Sequence, residues 1–228
     1  MTLYETIFAR RSVRKYINSP LDNAALQEIK KYVDNAKQLS SAKARFEIAD
    51  SGMLKGGLAP YAILAHSGNS GADLINIGYT LQGADLWLQS GGYGSVWCGM
   101  ASPKEPQPDY RILLGFGKTN VPMRRGENEF KRKKLADISN ADNATARAAR
   151  AAPSAVNFQP WKINFTENKI TIRASLSGIG KILPGRLYLF DLGIITKHVE
   201  LALEYEGKTV KEIDINENGK DSFIFINY

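Results

Sequence analysis

Two short stretches of this 228-residue chain concentrate the groups that could do chemistry. The first reads Arg10-Arg11-Ser12-Val13-Arg14-Lys15. Planar guanidinium groups bind a phosphate monoester through paired, charge-assisted hydrogen bonds. Arg10, Arg14 and the Ser12 hydroxyl lie close enough in sequence to converge on one such group, whereas Arg11 could instead face solvent. The second stretch reads Ala152-Pro153-Ser154-Ala155-Val156-Asn157-Phe158-Gln159-Pro160-Trp161. Its two prolines stiffen the backbone. Ser154, Asn157 and Gln159 supply hydrogen-bonding groups, and Trp161 opens an extended run that should bury its ring. A rigid polar edge beside an apolar wall suits a flat heteroaromatic ligand. The same residues also fit a connector whose polar groups cap the preceding helix. A second basic cluster, Arg124-Arg125 with Lys131-Arg132-Lys133-Lys134, reads equally as a solvated face.

Elements must carry these stretches. A short helix is expected over residues 6–11. A second follows Asp22 as N-cap, with Leu26, Ile29 and Val33 at helical spacing. Strands are expected at 46–49, 61–65 and 111–115, with a glycine turn at Gly56-Gly57. A long helix spans 73–89 and closes at Gly91-Gly92. Residues 117–143 are polar and basic and read as an excursion or linker, not as core. An alanine-rich helix follows at 144–151, then a hairpin of 161–165 and 169–174 turned by Glu167-Asn168. A helix over 191–204 stopping at Gly207 and strands at 209–215 and 222–226 complete the chain.

The halves resemble each other at a constant offset of 115 residues. Gly78 matches Gly193, Leu86 matches Leu201, Gly92 matches Gly207, Asp85 matches Glu200 and Asn76 matches Asp191. The same offset pairs Phe46 with Trp161 and Ile48 with Ile163. The expectation is an α+β chain built by internal duplication: a first half at 1–116, a basic linker or excursion at 117–143 and a second half at 144–228. Such units would bury their apolar faces against each other, as two subunits of a symmetric dimer do.

The quoted residues resemble the nitroreductase family. APSAVNFQPW is similar to its APSxxNxQPW signature, and residues 10–16 look like its RRSVRKF segment. The long helix leading through Gly94 to Val96-Trp97-Cys98-Gly99 resembles a third feature. The resemblance implies an α+β nitroreductase-like fold, a mixed or antiparallel sheet surrounded by helices, and FMN as cofactor. In that family the basic segment, here Arg10, Arg11, Ser12 and Arg14, contacts the ribityl phosphate. The other segment, here Pro153, Ser154, Ala155 and Asn157, lies along the isoalloxazine and comes from the second subunit of a homodimer. Backbone N–H groups at Trp97, Cys98 and Gly99 would stabilise the reduced ring. The stretch containing Arg132 is loosely similar to the family's RKPLxEI tail, so Arg132 would reach the phosphate.

The order of motifs departs from the family, where the PSxxN segment precedes the long helix. Here that slot, residues 35–46, lacks both prolines and the asparagine, and the intact copy comes one repeat later. A fused pseudo-dimer accounts for this. One half keeps the phosphate clamp, the other keeps the ring segment, and about one FMN is bound per chain. The chain is then a monomer, with a homodimer as the alternative.

Composition narrows the function classes. Thirty Lys and Arg against twenty-three Asp and Glu leave a net charge of +7, which favours an anionic partner. The basic segments lack interleaved aromatics or a nucleic-acid motif, so nucleic acid is not expected. No apolar run is long enough to span a membrane. One cysteine, Cys98, excludes an intrachain disulfide and suits a reducing cytoplasm. His66 and His198 are far apart in sequence, and no metal site is expected. Gly178-Ile179-Gly180-Lys181 lacks full phosphate-loop spacing. The flavin would carry the redox chemistry, so no side chain is assigned as catalytic. The expected activity is NAD(P)H-dependent reduction of nitroaromatics, quinones or related small molecules. A flavin carrier or sensor without robust turnover is the alternative.

Overall fold

The computed structural model describes residues 1–39, 43–176, 186–217 and 222–228. The phosphate-loop fragment at 178–181 and Ser40-Ser41-Ala42 of the degraded slot lie outside them.

The N-terminal helix α1 spans Leu3–Ala9, three residues earlier than expected. The cause is a capping box: the Thr2 hydroxyl accepts from Glu5 N at 3.2 Å, and the Glu5 carboxylate accepts from Thr2 N at 2.8 Å. Ending at Ala9 releases the basic segment as extended chain. Val13 N donates to Ser95 O at 2.9 Å, and Ser12 forms a parallel bridge with Ser95. Helix α2, Asn23–Asp34, starts at the expected cap, where Asp22 accepts from Ala25 N.

The first sheet contains β1 (Arg45–Asp50), β3 (Tyr61–His66), β6 (Tyr110–Lys118) and β4 (Tyr93–Cys98), in the order β1-β3-β6-β4. The second contains β7 (Trp161–Phe165), β8 (Lys169–Ala174), β10 (Phe223–Asn227) and β9 (Glu212–Asn216), in the order β7-β8-β10-β9. All pairings within both sheets are antiparallel. The short strands β2 (Leu54–Lys55) and β5 (Ser102–Pro103) form a small separate ribbon.

Between the sheets run α3 (Gly71–Ser90) and α5 (Leu187–Tyr205), which starts four residues before the expected position. Both are apolar around most of their circumference and buried, as a central helix should be. They meet at two glycines. A Cβ on Gly193 would sit 1.9 Å from Ile75 O, and one on Gly78 would sit 2.1 Å from Phe190 O. The contact is reciprocal: residues 78 and 193, and residues 75 and 190, are each 115 apart. One hydrophobic core takes in Phe46, Ile63 and Leu114 of the first sheet, both central helices, and Ile163, Ile172 and Ile224 of the second.

The middle segment corrects the expectation of a linker without core. Phe130 and Ile138 are buried, Arg124 N donates to Ala9 O at 2.7 Å, and Ile163 N donates to Ile138 O at 2.7 Å. The alanine-rich helix α4 spans Ala144–Ala151 as expected, capped by Asn143, and packs against α1 and α5. No helix among the described residues is long and apolar enough to cross a membrane.

Candidate functional site

The two sequence stretches meet. Ser12 and Arg14 from one, and Pro153, Ser154 and Ala155 from the other, line a cavity of about 490 Å³ together with Trp97, Cys98 and Gly99. Its walls are completed mainly by apolar side chains, among them Ile112, Phe190 and Ile194. The volume lies within the range of small-molecule and cofactor sites. Recesses of about 620 and 750 Å³ lie elsewhere, along α2 and α3 and beside residues 16–20, and neither contains residues of both stretches.

Arg10, Arg11, Asn157 and Arg132 do not line this cavity. Arg10 is buried, with Nε 2.8 Å from the fully buried Asp85 Oδ2 but out of line for a hydrogen bond. Asp85 also accepts from the Ser95 hydroxyl at 2.5 Å, from Gln89 Nε2 at 3.1 Å and from Gln82 Nε2 at 3.2 Å. Gln82 Oε1 in turn accepts from Trp97 Nε1 at 3.2 Å, so the Arg10 anchor is connected to the cavity wall. The same Gln82 lies 3.1 Å from His198 Nε2, and His198 Nδ1 is 2.9 Å from Ala148 O. Burial pushes His198 down to about 3, so it is neutral near pH 7 and makes that bond as an Nδ1–H donor. Arg11 pairs with Glu129 at 3.2 Å on the surface.

Arg132 has a structural task the sequence did not reveal. Its Nη1 donates to Asn157 Oδ1 at 2.6 Å and its Nη2 to Ala151 O at 3.1 Å. Asn157 Nδ2 donates to Lys131 O, and Lys133 N donates to Gln159 Oε1. The basic stretch thus grips the segment beside the cavity. That grip holds Val156, Asn157 and Gln159 at φ of 45°, 59° and 52°. Such left-handed conformations cost of order 1–3 kcal/mol each in a non-glycine residue. Asn157 therefore faces the basic stretch, with its amide committed on both sides.

The arginines are arranged for an anion. Arg124 and Arg132 both lie over the Phe130 ring, 4.4 and 5.3 Å from its centroid. Arg124 Nη1 also donates to Arg10 O. Desolvation, then repulsion from Arg10, Arg124 and Arg150, pushes Arg132 down to about 10. Desolvation and Arg10 likewise depress Arg124. Among the described residues, Arg10 Nη2 and Arg132 Nε are buried without a hydrogen-bond partner. Mutually repelling cations with unused buried donors fit a phosphate. The cavity two residues along each segment fits a flat ring system.

Sequence reasoning grouped Arg124 with Arg132 but did not join them to Arg10, and it did not single out Asp191 as a site residue. Asp191 lines the cavity and is 3% exposed. Its Oδ1 accepts from Ala155 N at 3.0 Å, while Oδ2 is buried with no partner among the described residues. The signal was available: Asp191 is a lone acid in the apolar run Leu189-Phe190-Asp191-Leu192.

Fold and cavity together define a nitroreductase-type protein. A family model described as "Putative TM nitroreductase" matches residues 2–203, and the chain belongs to that family. A crystal structure described as a putative nitroreductase from Thermotoga maritima covers 100% of this chain and 94% of its own, at 22% identity and a TM-score of 0.74. A nitroreductase family protein from Clostridium difficile covers 63% of this chain and 100% of its own, at 16% identity and a TM-score of 0.50. A putative nitroreductase from Desulfovibrio desulfuricans, solved in complex with FMN, covers 62% and 96%, at 18% identity and a TM-score of 0.47. No curated relative matches the chain.

Proposed function

We propose that this chain is an FMN-dependent NAD(P)H oxidoreductase with one composite flavin site between two duplicated halves. The carrying observation is that Ser12 and Arg14 meet Pro153, Ser154 and Ala155 within a single chain. The reciprocal contact of Gly78 and Gly193 at a separation of 115 supports the duplication. Arg10, Arg124 and Arg132 would hold the FMN phosphate, and the cavity would take the ring. Bound there, FMN supplies hydride acceptance from NAD(P)H and delivery to a nitroaromatic, quinone or related acceptor in a two-step cycle.

The chain's own residues do the rest. Trp97 and Phe190 supply apolar wall that keeps water from the reacting face. Arg14 brings positive charge to that cavity, where it favours an anionic reduced ring. The rigid segment from Pro153 to Gln159, clamped by Arg132 and Lys133, fixes one edge of the ligand. Leu58, Met100 and Val156 line the cavity and are exposed, which suits entry of an apolar acceptor.

The test is FMN titration of the purified chain by fluorescence, followed by steady-state NADH and NADPH oxidation with a nitroaromatic and a quinone. One flavin per chain with turnover is expected. Two equivalent flavins would overturn the composite site, and bound flavin that NAD(P)H does not bleach would indicate a carrier or sensor.

A further inference from the structure

Asp191 differs from every other buried acid described around the central helices. Asp85 is surrounded by Arg10, Ser95, Gln89 and Gln82. Glu200 accepts from the Tyr79 hydroxyl at 2.6 Å and from Lys37 and Lys197 at 2.5 and 2.6 Å. Asp191 has one backbone donor, Ala155 N, and one oxygen with no partner among the described residues. Arg14 and Cys98 stand on the cavity wall, and α3 carries Asp73, Asp85 and Tyr79, the last with its hydroxyl committed to Glu200. The helix of Asp191 also carries Tyr188, Lys197, His198, Glu200, Glu204 and Tyr205. Lys197 is bound to Glu200 and His198 to Ala148 O.

An ionised carboxylate with a bare, desolvated oxygen is expensive, and a neutral carboxyl is not. Desolvation, opposed only by the Ala155 N–H, raises Asp191 to about 8. A neutral carboxyl carries an O–H donor, and a buried donor calls for an acceptor. Within the cavity that acceptor belongs to the ligand.

We propose that Asp191 is a ligand-binding residue of the cavity that acts as a protonated hydrogen-bond donor, presenting Oδ2–H to a carbonyl, nitro oxygen or ring nitrogen of a flat ligand. This rests on the proposed flavin site. The acceptor atom belongs either to the flavin ring or to the oxidised substrate, and the two sources share this chemistry. Binding of that ligand is then linked to protonation of Asp191.

The test compares the wild-type chain with Asp191→Asn, which keeps a donor of the same shape but does not titrate, and with Asp191→Ala. Infrared spectroscopy of the flavin-free protein is expected to show a neutral-carboxyl band that fades as pH rises through 8 and is missing in both variants. If the flavin accepts the bond, the wild-type Kd for FMN rises about tenfold from pH 7 to pH 9, while that of Asp191→Asn stays flat. If the substrate accepts it, FMN affinity is flat and the rise appears in nitrobenzene binding to the oxidised, FMN-loaded protein. Absence of the carboxyl band, or pH-independent wild-type binding of both ligands, would overturn the proposal while leaving the flavin site standing. Tighter binding at high pH would also overturn it, because the ionised form would then be the partner. Failure of the wild-type chain to bind FMN at any pH would overturn the flavin site and this proposal together.

Discussion

Asp191 on α5 and Asn76 on α3 lie 115 residues apart in sequence and differ in how the polar groups around them are satisfied. Asp191 Oδ1 accepts from Ala155 N, and Asn76 Oδ1 accepts from Leu39 N at 2.7 Å. There the likeness stops. Asn76 Nδ2 donates to Gln38 Oε1, and the Gln38 amide also binds both Ala44 N and Ala44 O. Ile194 lines the cavity, whereas its counterpart Tyr79 is larger, fully buried and bound to Glu200. One region keeps orphaned donors and acceptors beside a cavity, and the other satisfies its own. A ligand can lower the free energy of the first region, because unpaired buried polar groups are costly. It would have to break existing bonds in the second. This is the physical ground for proposing one flavin per chain where a symmetric dimer would hold two.

The largest effect is expected where the halves should be equal. Gly78→Ala and Gly193→Ala each push a methyl onto a backbone carbonyl of the other central helix. Each should cost more than about 3 kcal/mol or prevent folding. Urea denaturation checks this, and a large loss in one variant with none in the other would break the equivalence of the crossing.

The next effect should fall on one side only. Arg132→Ala removes a charged donor from the cluster and frees Asn157, and should weaken FMN binding about 100-fold. Lys37→Ala, at the counterpart region, should leave FMN affinity within about twofold. Fluorescence titration of both variants decides, and equal losses would place the flavin elsewhere.

A pH dependence separates Asp191 from Asn76. The folded pKa of Asp191 is raised above its unfolded value, to about 8. Its contribution to stability is therefore fully present below about pH 4 and is lost as pH rises toward 8. Asp191→Asn should gain on wild type across that window by a few kcal/mol in urea midpoints taken at pH 4, 6 and 8. Asn76→Asp should do the reverse and become less stable than wild type as pH rises. A pH-independent difference in both variants would mean that the two positions are equivalent.

The smallest effect is expected from Tyr79→Phe. Removing the hydroxyl leaves Glu200 with its two lysines and should cost about 1 kcal/mol without changing FMN affinity. A rise in flavin stoichiometry in this variant would show that Tyr79 alone keeps the second region closed.

Much of this was legible in the residues, for local reasons. Asp22 starts α2 because its carboxylate reaches a free N–H three residues on. Gly207, at φ of 73°, follows α5 because that conformation is open to glycine. The hairpin of β7 and β8 followed from two apolar runs around Glu167-Asn168. The start of α1 was equally local and was missed, although Thr2 and Glu5 carry the capping-box spacing. The reading of residues 117–143 as an excursion or linker outside the core overlooked two buried residues for a different reason. Phe130 and Ile138 are isolated apolar residues in a basic stretch, and only their distant neighbours bury them. At the site, the motifs and their resemblance to the nitroreductase family named Ser12, Arg14, Pro153, Ser154, Ala155, Trp97, Cys98 and Gly99, which line one cavity. They did not reveal that Arg10 is sunk against Asp85, or that Arg132 grips Asn157.

Local signals in the sequence marked most helices and strands and both motif segments, because caps, turns and apolar periodicity act within a few residues; β4 and the start of α1 were not read from them. Tertiary structure alone decided that the segments meet, which arginines keep unused donors and that Asp191 faces the cavity. Those outcomes depend on α3 and α5 approaching closely at Gly78 and Gly193, and so on contacts between residues more than 100 positions apart.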